Sequence, residues 1–574
     1  MKLFFEGYPY NVDTIADYLS THFYSEDVNS KLAYIPYVGY YYNYDYTKPD
    51  NSDSIFILPK VFLKDGKKPF GMDIAPEELI ALDNQLLTAS VKETIFDLST
   101  WLYRAILRFY QRNSKTTITE KSKIQDVVSN RGNSTETYLD IILKLIKFQK
   151  ENRRLFTMIT TINTSGNNRI HWGKTINSQI PIIKNGTPVY TTYKNKNKTI
   201  NLDEDIIVLY YSVLNYLSPT YHNKVDKDIN YNILHPSKIE SLIEGCKGTR
   251  LMKKIKHKYF TDDLVALWNI LFTFFEKSEQ IANRKYHEET LLVRNFNIVF
   301  EDMIDHLIGE DASVPKKLKE QVDGKIVDHI YSDNSLIDGN LSNIYFIGDS
   351  KYYKDGDAIT GESLGKQFTY AKNVIQFNIN ILLEKGEDSD LDFRYRDKTT
   401  EGYNVTPNFF IRGTVDNEKQ NYSNSSPNLR NASVESGSIN RHFKDRLFDR
   451  DTLIVQTYDI NFLFVLYTYV VDDSSSYKDT IRKRFRNDLI TTFNKKYTFY
   501  KVYPISKDGE DAIEMFANKY FRLLLGRMFR PSNKADYLWL AFEKNSEDEI
   551  ECINRIKDSC TSIEKETIPY EIGL

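Results

Sequence analysis

Cysteine is nearly absent from this sequence: there are three in 574 residues, Cys246, Cys552 and Cys560. Their spacing forms neither a metal-binding cluster nor an even disulfide framework, which excludes a stapled extracellular scaffold and fits a reducing cytosol. No apolar run approaches the roughly 20 residues needed to span a bilayer; the longest lie at 206–217 and 462–471. The first residues, MKLFFEGYPYNVD, lack the apolar stretch of a signal peptide. The expectation is therefore a cytoplasmic chain with no membrane partner. Charge of one sign is not in excess either, with 76 Lys+Arg against 79 Asp+Glu and a net charge of −3. That excludes a global polycation but leaves room for local basic grooves. A phosphate loop is missing too. The segment 166–175, GNNRIHWGKT, ends in Gly-Lys-Thr but places six residues between its glycines where the loop needs four, and Ile170 and Trp172 would obstruct a phosphate. No nucleotide is expected to bind this chain.

What is present reads as globular and multidomain. The length suggests three or four domain-sized units, and 41% hydrophobic with 27% charged residues can bury large cores. Tyrosine is abundant, at 41 residues. Residues 1–85 read as a β-rich domain, with aromatic, β-branched runs at 31–46 and 54–63. Residues 86–255 read as a helical or mixed region for binding a partner or DNA. In it Ile95, Leu98, Leu102, Ala105, Ile106 and Phe109 mark one helical face. A second helix over 136–154 carries a basic stripe of Lys144, Lys147, Lys150 and Arg154, either a solvated face or one that meets phosphate or a partner. The Asn- and Ser-rich stretch 415–440 reads as a long loop. Residues 478–501 hold eight basic and two acidic residues, a local +6. Arg482, Lys483, Arg484 and Arg486 surround Phe485 there, a candidate DNA contact or a solvated helix.

The chemistry concentrates in 287–378. An amphipathic helix is expected over 287–309, with Phe296, Phe300, Met303 and Leu307 inward and Glu301 and Asp305 on the flank. A strand candidate at 322–333 contains Asp328, and the apolar strand 344–354 ends in Asp349-Ser350-Lys351. Residues i and i+2 of a strand share a side, so Asp349 and Lys351 can occupy one small volume. A neighbouring strand that brings Asp328 creates a like-charge pair suited to a divalent cation. Mg²⁺ keeps several waters, so two carboxylates and a backbone carbonyl suffice. Lys351 would orient or deprotonate the attacking water, or stabilise phosphoryl charge. His306 and His329 flank the cluster without ligand spacing and are read as structural.

A helical Glu, a strand Asp and an Asp-x-Lys about 20 residues on, followed by a helix, resembles the PD-(D/E)XK nuclease superfamily. Gln367 and Tyr370 in 365–383 match the family's Q-x-x-Y helix. By that resemblance Asp328, Asp349, Lys351, Glu301 and Gln367 are catalytic, and Mg²⁺ (or Mn²⁺) sits on Asp328, Asp349, the Ser350 carbonyl and Glu301, with Asp302 as the alternative helical acid. Lys354 and Tyr370 would meet DNA. Val327 precedes Asp328 where the superfamily's name has Pro.

Six blocks spread over most of the chain, 34–42, 53–63, 168–176, 300–309, 348–354 and 449–470, together resemble the LlaJI family of restriction endonucleases, relatives of the McrC nuclease subunit. The implied fold is mixed α/β and multidomain. Its nuclease domain would cover 256–574, with a mixed-sheet core at 285–475. The implied function is a Mg²⁺-dependent endonuclease cutting double-stranded DNA in antiviral restriction. A separate McrB-like AAA+ GTPase would drive it, with Arg169 and Lys174 as candidate contacts to that ring. Two alternatives stand beside this: a self-contained DNA-processing nuclease, and a non-catalytic ring activator with a vestigial site.

Overall fold

The computed structural model describes residues 1–27, 29–45, 53–81, 87–113, 127–130, 136–164, 169–284, 286–309, 314, 316–321, 326–338, 343–352, 361–385, 395–415, 430–431, 439–440, 445–471, 475–505 and 511–570. The fold is mixed α/β, with several separate sheets.

Aromatic and β-branched runs at the N-terminus build the first sheet. Its strands are β1 (Lys2–Phe5), β2 (Val38–Asp45), β3 (Asp53–Leu58), β4 (Val127–Asn130) and β5 (Tyr286–Val293), in the order β1-β3-β2-β5-β4. Helices cover it: α1 (Ala89–Asn113), α2 (Tyr138–Glu151), α3 (Asp205–Tyr221) and α4 (Asp262–Ala282). The expected apolar face of α1 is buried throughout. A capping box in which Thr137 and Asp140 exchange hydrogen bonds starts α2. The basic stripe beyond it is neutralised locally. Lys144 pairs with Glu136, Lys147 with Glu151, Lys150 with Asp97 and Arg154 with Asp228, which supports a solvated face.

The strand β5 corrects an expectation. Residues 286–293 pair with β2 over eight positions and are not the first turns of a helix, so the helix begins only at Phe296. The N-terminal sheet, which with its helices is the N-terminal unit, thus takes in residues 286–293, beyond the expected helical region 86–255. Three consecutive apolar residues, Leu291–Val293, fit a strand buried on both faces as well as a helix, and pairing decides between them. Glu289 anchors this strand. It is fully buried and accepts from Lys277 Nζ at 2.7 Å, His287 Nε2 at 3.0 Å and the Tyr138 amide at 2.6 Å.

The second sheet follows helix α5 (Phe296–Ile304), which continues into a π-helical turn at Asp305–Gly309. Strand β6 (His329–Asn334) runs antiparallel to β7 (Asn343–Lys351). Helix α6 (Gly361–Lys385) then carries the chain to β8 (Pro407–Thr414), parallel to β7, and β8 is parallel to β9 (Thr452–Asn461). Helices α7 (Phe462–Val471) and α8 (Ser475–Lys496) close the unit. Most of the expected 415–440 loop lies outside the described residues; within it Arg430–Asn431 and Ile439–Asn440 add short antiparallel partners to β9. A third sheet is made by β10 (Tyr497–Pro504), β11 (Met528–Phe529), β12 (Leu538–Glu543) and β13 (Cys560–Glu566), in the order β11-β12-β10-β13. With α9 (Ala512–Leu524) and α10 (Glu547–Ile556) it forms a β-α-β-β-α-β run. Phe499, Trp539 and Ala541 turn its other face into the main core.

Gly348 of β7 lies under the Phe409 ring, which fills the volume a Cβ would take. Gly348→Ala should therefore overpack the strand and cost about 1–3 kcal/mol. Thermal denaturation checks this, and combining it with Phe409→Leu should restore most of the loss.

Candidate active site

The register of β6 on β7 makes the site. His329 pairs with Gly348, so Asp328, one residue before β6, falls opposite Asp349 near the end of β7. Asp328 thus stands at the mouth of its strand, not inside it, and residues 322–325 lie outside the described chain. The Ser350 amide donates to Asp328 Oδ2 at 3.2 Å. Asp349 and Ser350 are buried. Burial, a hydrogen bond shared with Asp349 and the negative charge of Glu301 raise the Asp328 carboxyl well above the ordinary carboxylate range. Lys351 forms an ion pair with Asp349, as the i, i+2 spacing requires, and its ammonium lies 5.7 Å from the centre of the Phe410 ring.

The neighbouring acids on α5 divide by role. Glu301 acts electrostatically on Asp328 and accepts from Asn297 at 3.4 Å. Asp302 faces away, accepting from Tyr469 and pairing with Arg112 at 3.6 Å. Asp305 is bound by Lys319 at 2.5 Å and by His329 Nδ1 at 3.3 Å. Burial alone would raise its carboxyl, but the His329 hydrogen bond and the Lys319 charge more than offset that and hold it at about 2. His306 sits between Arg108 and Arg112, at 3.5 and 3.0 Å. Both histidines are thus structural fixtures of the helix flank.

Gln367 does not reach open space. It is fully buried, and its amide donates to the Ile347 carbonyl and to Asn408, each at 3.0 Å, so it braces β7 against β8 from beneath. Tyr370 is half-buried on the same helix, its carbonyl accepting from Gln321 at 3.5 Å. The basic cluster on α8, expected as a DNA contact, is turned partly inward at two of its members. Arg482 donates twice to the Ile308 carbonyl, at 2.9 and 2.6 Å, and lies 4.1 Å over the Tyr331 ring. Arg486 is buried and holds the carbonyls of Asn334 and Ser335. Their planar forks satisfy loop carbonyls that would otherwise be orphaned. Phe485 between them is stacked 4.1 Å from Tyr458 in the core. Lys483 and Arg484 remain half-exposed, Arg484 beside Asp488 at 3.9 Å. Lys354 lies outside the described residues.

Sequence spacing put Tyr352 beside the site but gave no sign of Glu6 and Lys60. The Tyr352 hydroxyl, immediately after Lys351, donates to Glu6 and accepts from the Lys60 amide at 3.0 Å. These partners are some 290 to 350 residues apart in sequence, so no local pattern could have revealed them.

The donor set suits a hard divalent cation that keeps most of its water: the facing carboxylates of Asp328 and Asp349 with Glu301 behind. The juxtaposition of Asp328 and Asp349, where burial and like charge raise the Asp328 carboxyl, is the observation behind the fit. Among the described residues no group of three His, Cys, Asp or Glu side chains stands close enough to form a full cage. Direct ligation would then fall to Asp328 and Asp349, with Glu301 acting through water.

No family model matches this chain, and no curated protein does. One solved structure that aligns with it is a refined half-complex from a tetradecameric assembly of Thermococcus gammatolerans McrB AAA+ hexamers with bound McrC. The alignment covers 83% of this chain and 99% of that one, at 11% identity and a TM-score of 0.26. Likeness at that level carries no argument about this chain.

A carboxyl whose folded pKa is raised binds more protons folded than unfolded, so it subtracts stability as pH climbs above its unfolded value near 3.8. Asp328→Asn should accordingly raise the melting temperature of the metal-free protein at pH 7–8. A shift of roughly 2–4 °C corresponds to about 1 kcal/mol in a domain of this size. The gain should vanish below about pH 4, and added Mg²⁺ should stabilise the wild type more than the variant.

Proposed function

We propose that the chain is the Mg²⁺-dependent DNA endonuclease subunit of a two-component restriction system, with a PD-(D/E)XK site at Asp328, Asp349 and Lys351. The observation that supports it best is the convergence of those three side chains at the ends of two paired strands, with Glu301 on the preceding helix and α6 following. A chance Asp-x-Lys on a strand has no reason to meet a second carboxylate at the mouth of the neighbouring strand.

A divalent cation bound there would supply charge neutralisation for the phosphoryl group and activation of water. Asp328 and Asp349 would hold it, together with the Ser350 carbonyl, and Glu301 would orient its outer water. Lys351 would transfer its pairing from Asp349 toward the scissile phosphate, stabilising the charge that develops in the transition state or positioning the attacking water. Gln367 would act beneath the strand, keeping β7 in register with β8. Lys483 and Arg484 are the surviving candidates on α8 for a DNA backbone contact.

The partner reading rests on residues 156–202. They form a hairpin of Met158–Asn163 with Asn195–Ile200, a short helix Trp172–Ser178 and a tight hairpin of Ile182–Lys184 with Thr187–Val189. Asn185 and Gly186 both have positive φ at that tight turn. Residues 169–171 lead into the short helix, where His171 caps the Lys174 amide. Arg169 and Lys174 are exposed there. So are Met158, Trp172, Ile176, Ile180, Ile182 and Ile183, with Ile180 93% exposed. Apolar exposure on this scale marks an interaction surface, and the sequence resemblance assigns it to an AAA+ GTPase ring.

Asp349→Ala and Lys351→Ala should each remove detectable DNA cleavage while folding and ring binding persist, as read by a plasmid-cutting assay with Mg²⁺, GTP and the partner. Wild-type rates in both variants would sink the site. Ile180→Asp combined with Ile183→Asp should weaken binding of the AAA+ partner at least tenfold without changing the melting temperature. Unchanged affinity would remove this surface from the interface.

A further inference from the structure

One tyrosine joins the three parts of the molecule on which the candidate site depends. Tyr352 is buried directly after Lys351. Its hydroxyl donates to the Glu6 carboxylate, next to the end of β1, and accepts from the Lys60 amide, just beyond β3, at 3.0 Å. That same amide also approaches Glu6 Oε2, at 3.3 Å, and the Lys60 ammonium lies 4.7 Å from the centre of the Tyr352 ring. The ring also packs on Phe296 and Phe300 of α5, at 5.5 and 6.1 Å between centroids, one residue from Glu301. Glu6 is itself buried.

Packing alone does not account for this arrangement. A phenylalanine would fill the same space against Phe296 and Phe300. Burying a carboxylate and a phenol between two units is costly in desolvation unless each satisfies the other. Such a polar joint carries direction where apolar contact does not. It holds only at one relative placement of the two units, and it opens when the N-terminal unit shifts by about one hydrogen-bond length. The residue it holds is covalently next to Lys351, so the placement of the N-terminal unit reaches the Lys351–Asp349 pair through a single peptide link.

We propose that Tyr352 is a positioning residue, the joint through which the N-terminal unit sets the geometry of the Asp349–Lys351 pair and so switches the site when a partner displaces that unit. This inference rests on the nuclease reading and names the regulation of the same site. The N-terminal unit also carries the exposed 156–202 surface, so a partner gripping that surface pulls on the body to which Glu6 and Lys60 belong. The joint then gates cleavage without any residue of the N-terminal unit entering the chemistry.

Glu6→Gln and Tyr352→Phe test this, each keeping shape while weakening or deleting the carboxylate–phenol bond. Both are measured in the full chain with Mg²⁺, the AAA+ partner and GTP. Each should lower kcat for DNA cleavage about tenfold or more with KM for DNA unchanged, and the double variant should fall no further than the weaker single. Amide hydrogen exchange in Asn343–Lys351 should quicken in both while Leu538–Glu543 stays as in wild type, a pattern that general loosening would not produce. The relay stands only if the kcat loss and the local exchange change appear together; any other result in an active background overturns it and leaves the nuclease reading intact. An inactive wild type under these conditions overturns the nuclease reading and the relay with it.

Discussion

Pairing of His329 with Gly348 governs the rest of the site. It brings Asp328 opposite Asp349, two acids in a volume with little water, and the surrounding structure answers that crowding. The Ser350 amide and the Lys351 ammonium lean on the carboxylates, and Gln367 locks the strand from below. Gly348 has no side chain because the Phe409 ring already fills that space. A one-residue slip would send Asp349 and Lys351 to the opposite face and separate the acids. Register is therefore the quantity that the packing of α5, α6 and α8 protects. Arg482 and Arg486 belong to that protection: they bind the carbonyls of Ile308, Asn334 and Ser335, which flank the two ends of the β6 segment.

The same constraint explains why the site is poised and not merely stable. Burial and the neighbouring acids raise the Asp328 carboxyl, so its charged form is disfavoured there without a counter-charge. Like-charge crowding thus sits at the strand ends, where a bound divalent cation would relieve it. Among the described residues the N-terminal unit reaches this element through Tyr352, which bonds Glu6 and the Lys60 amide, and it offers its apolar surface elsewhere. Coupling between the two needs no long pathway, because a strand end and an interdomain hydrogen bond share adjacent residues.

Legibility differed sharply between residues. Asp349 and Lys351 were readable because i, i+2 periodicity is a local property of any strand. Glu301 was readable as a flank position, although choosing it over Asp302 needed Tyr469 and Arg112, both far away in sequence. The basic run at 482–486 was legible only as charge, since composition does not show the carbonyls that Arg482 and Arg486 bind across the fold. Residues 286–293 misled for a related reason: a short apolar run satisfies helix and strand alike until a partner strand is present.

By itself the sequence determined which chemistry is available: an acid, an Asp-x-Lys at the end of an apolar strand, a helical glutamate, and no phosphate loop. It determined these because each depends on residue identity and short-range spacing. Only the tertiary structure decided that Asp328 meets Asp349, that Gln367, Arg482 and Arg486 brace the sheet, and that Tyr352 is tied to Glu6. Those are contacts between segments distant in sequence, set by strand register and by the need of every buried polar group for a partner.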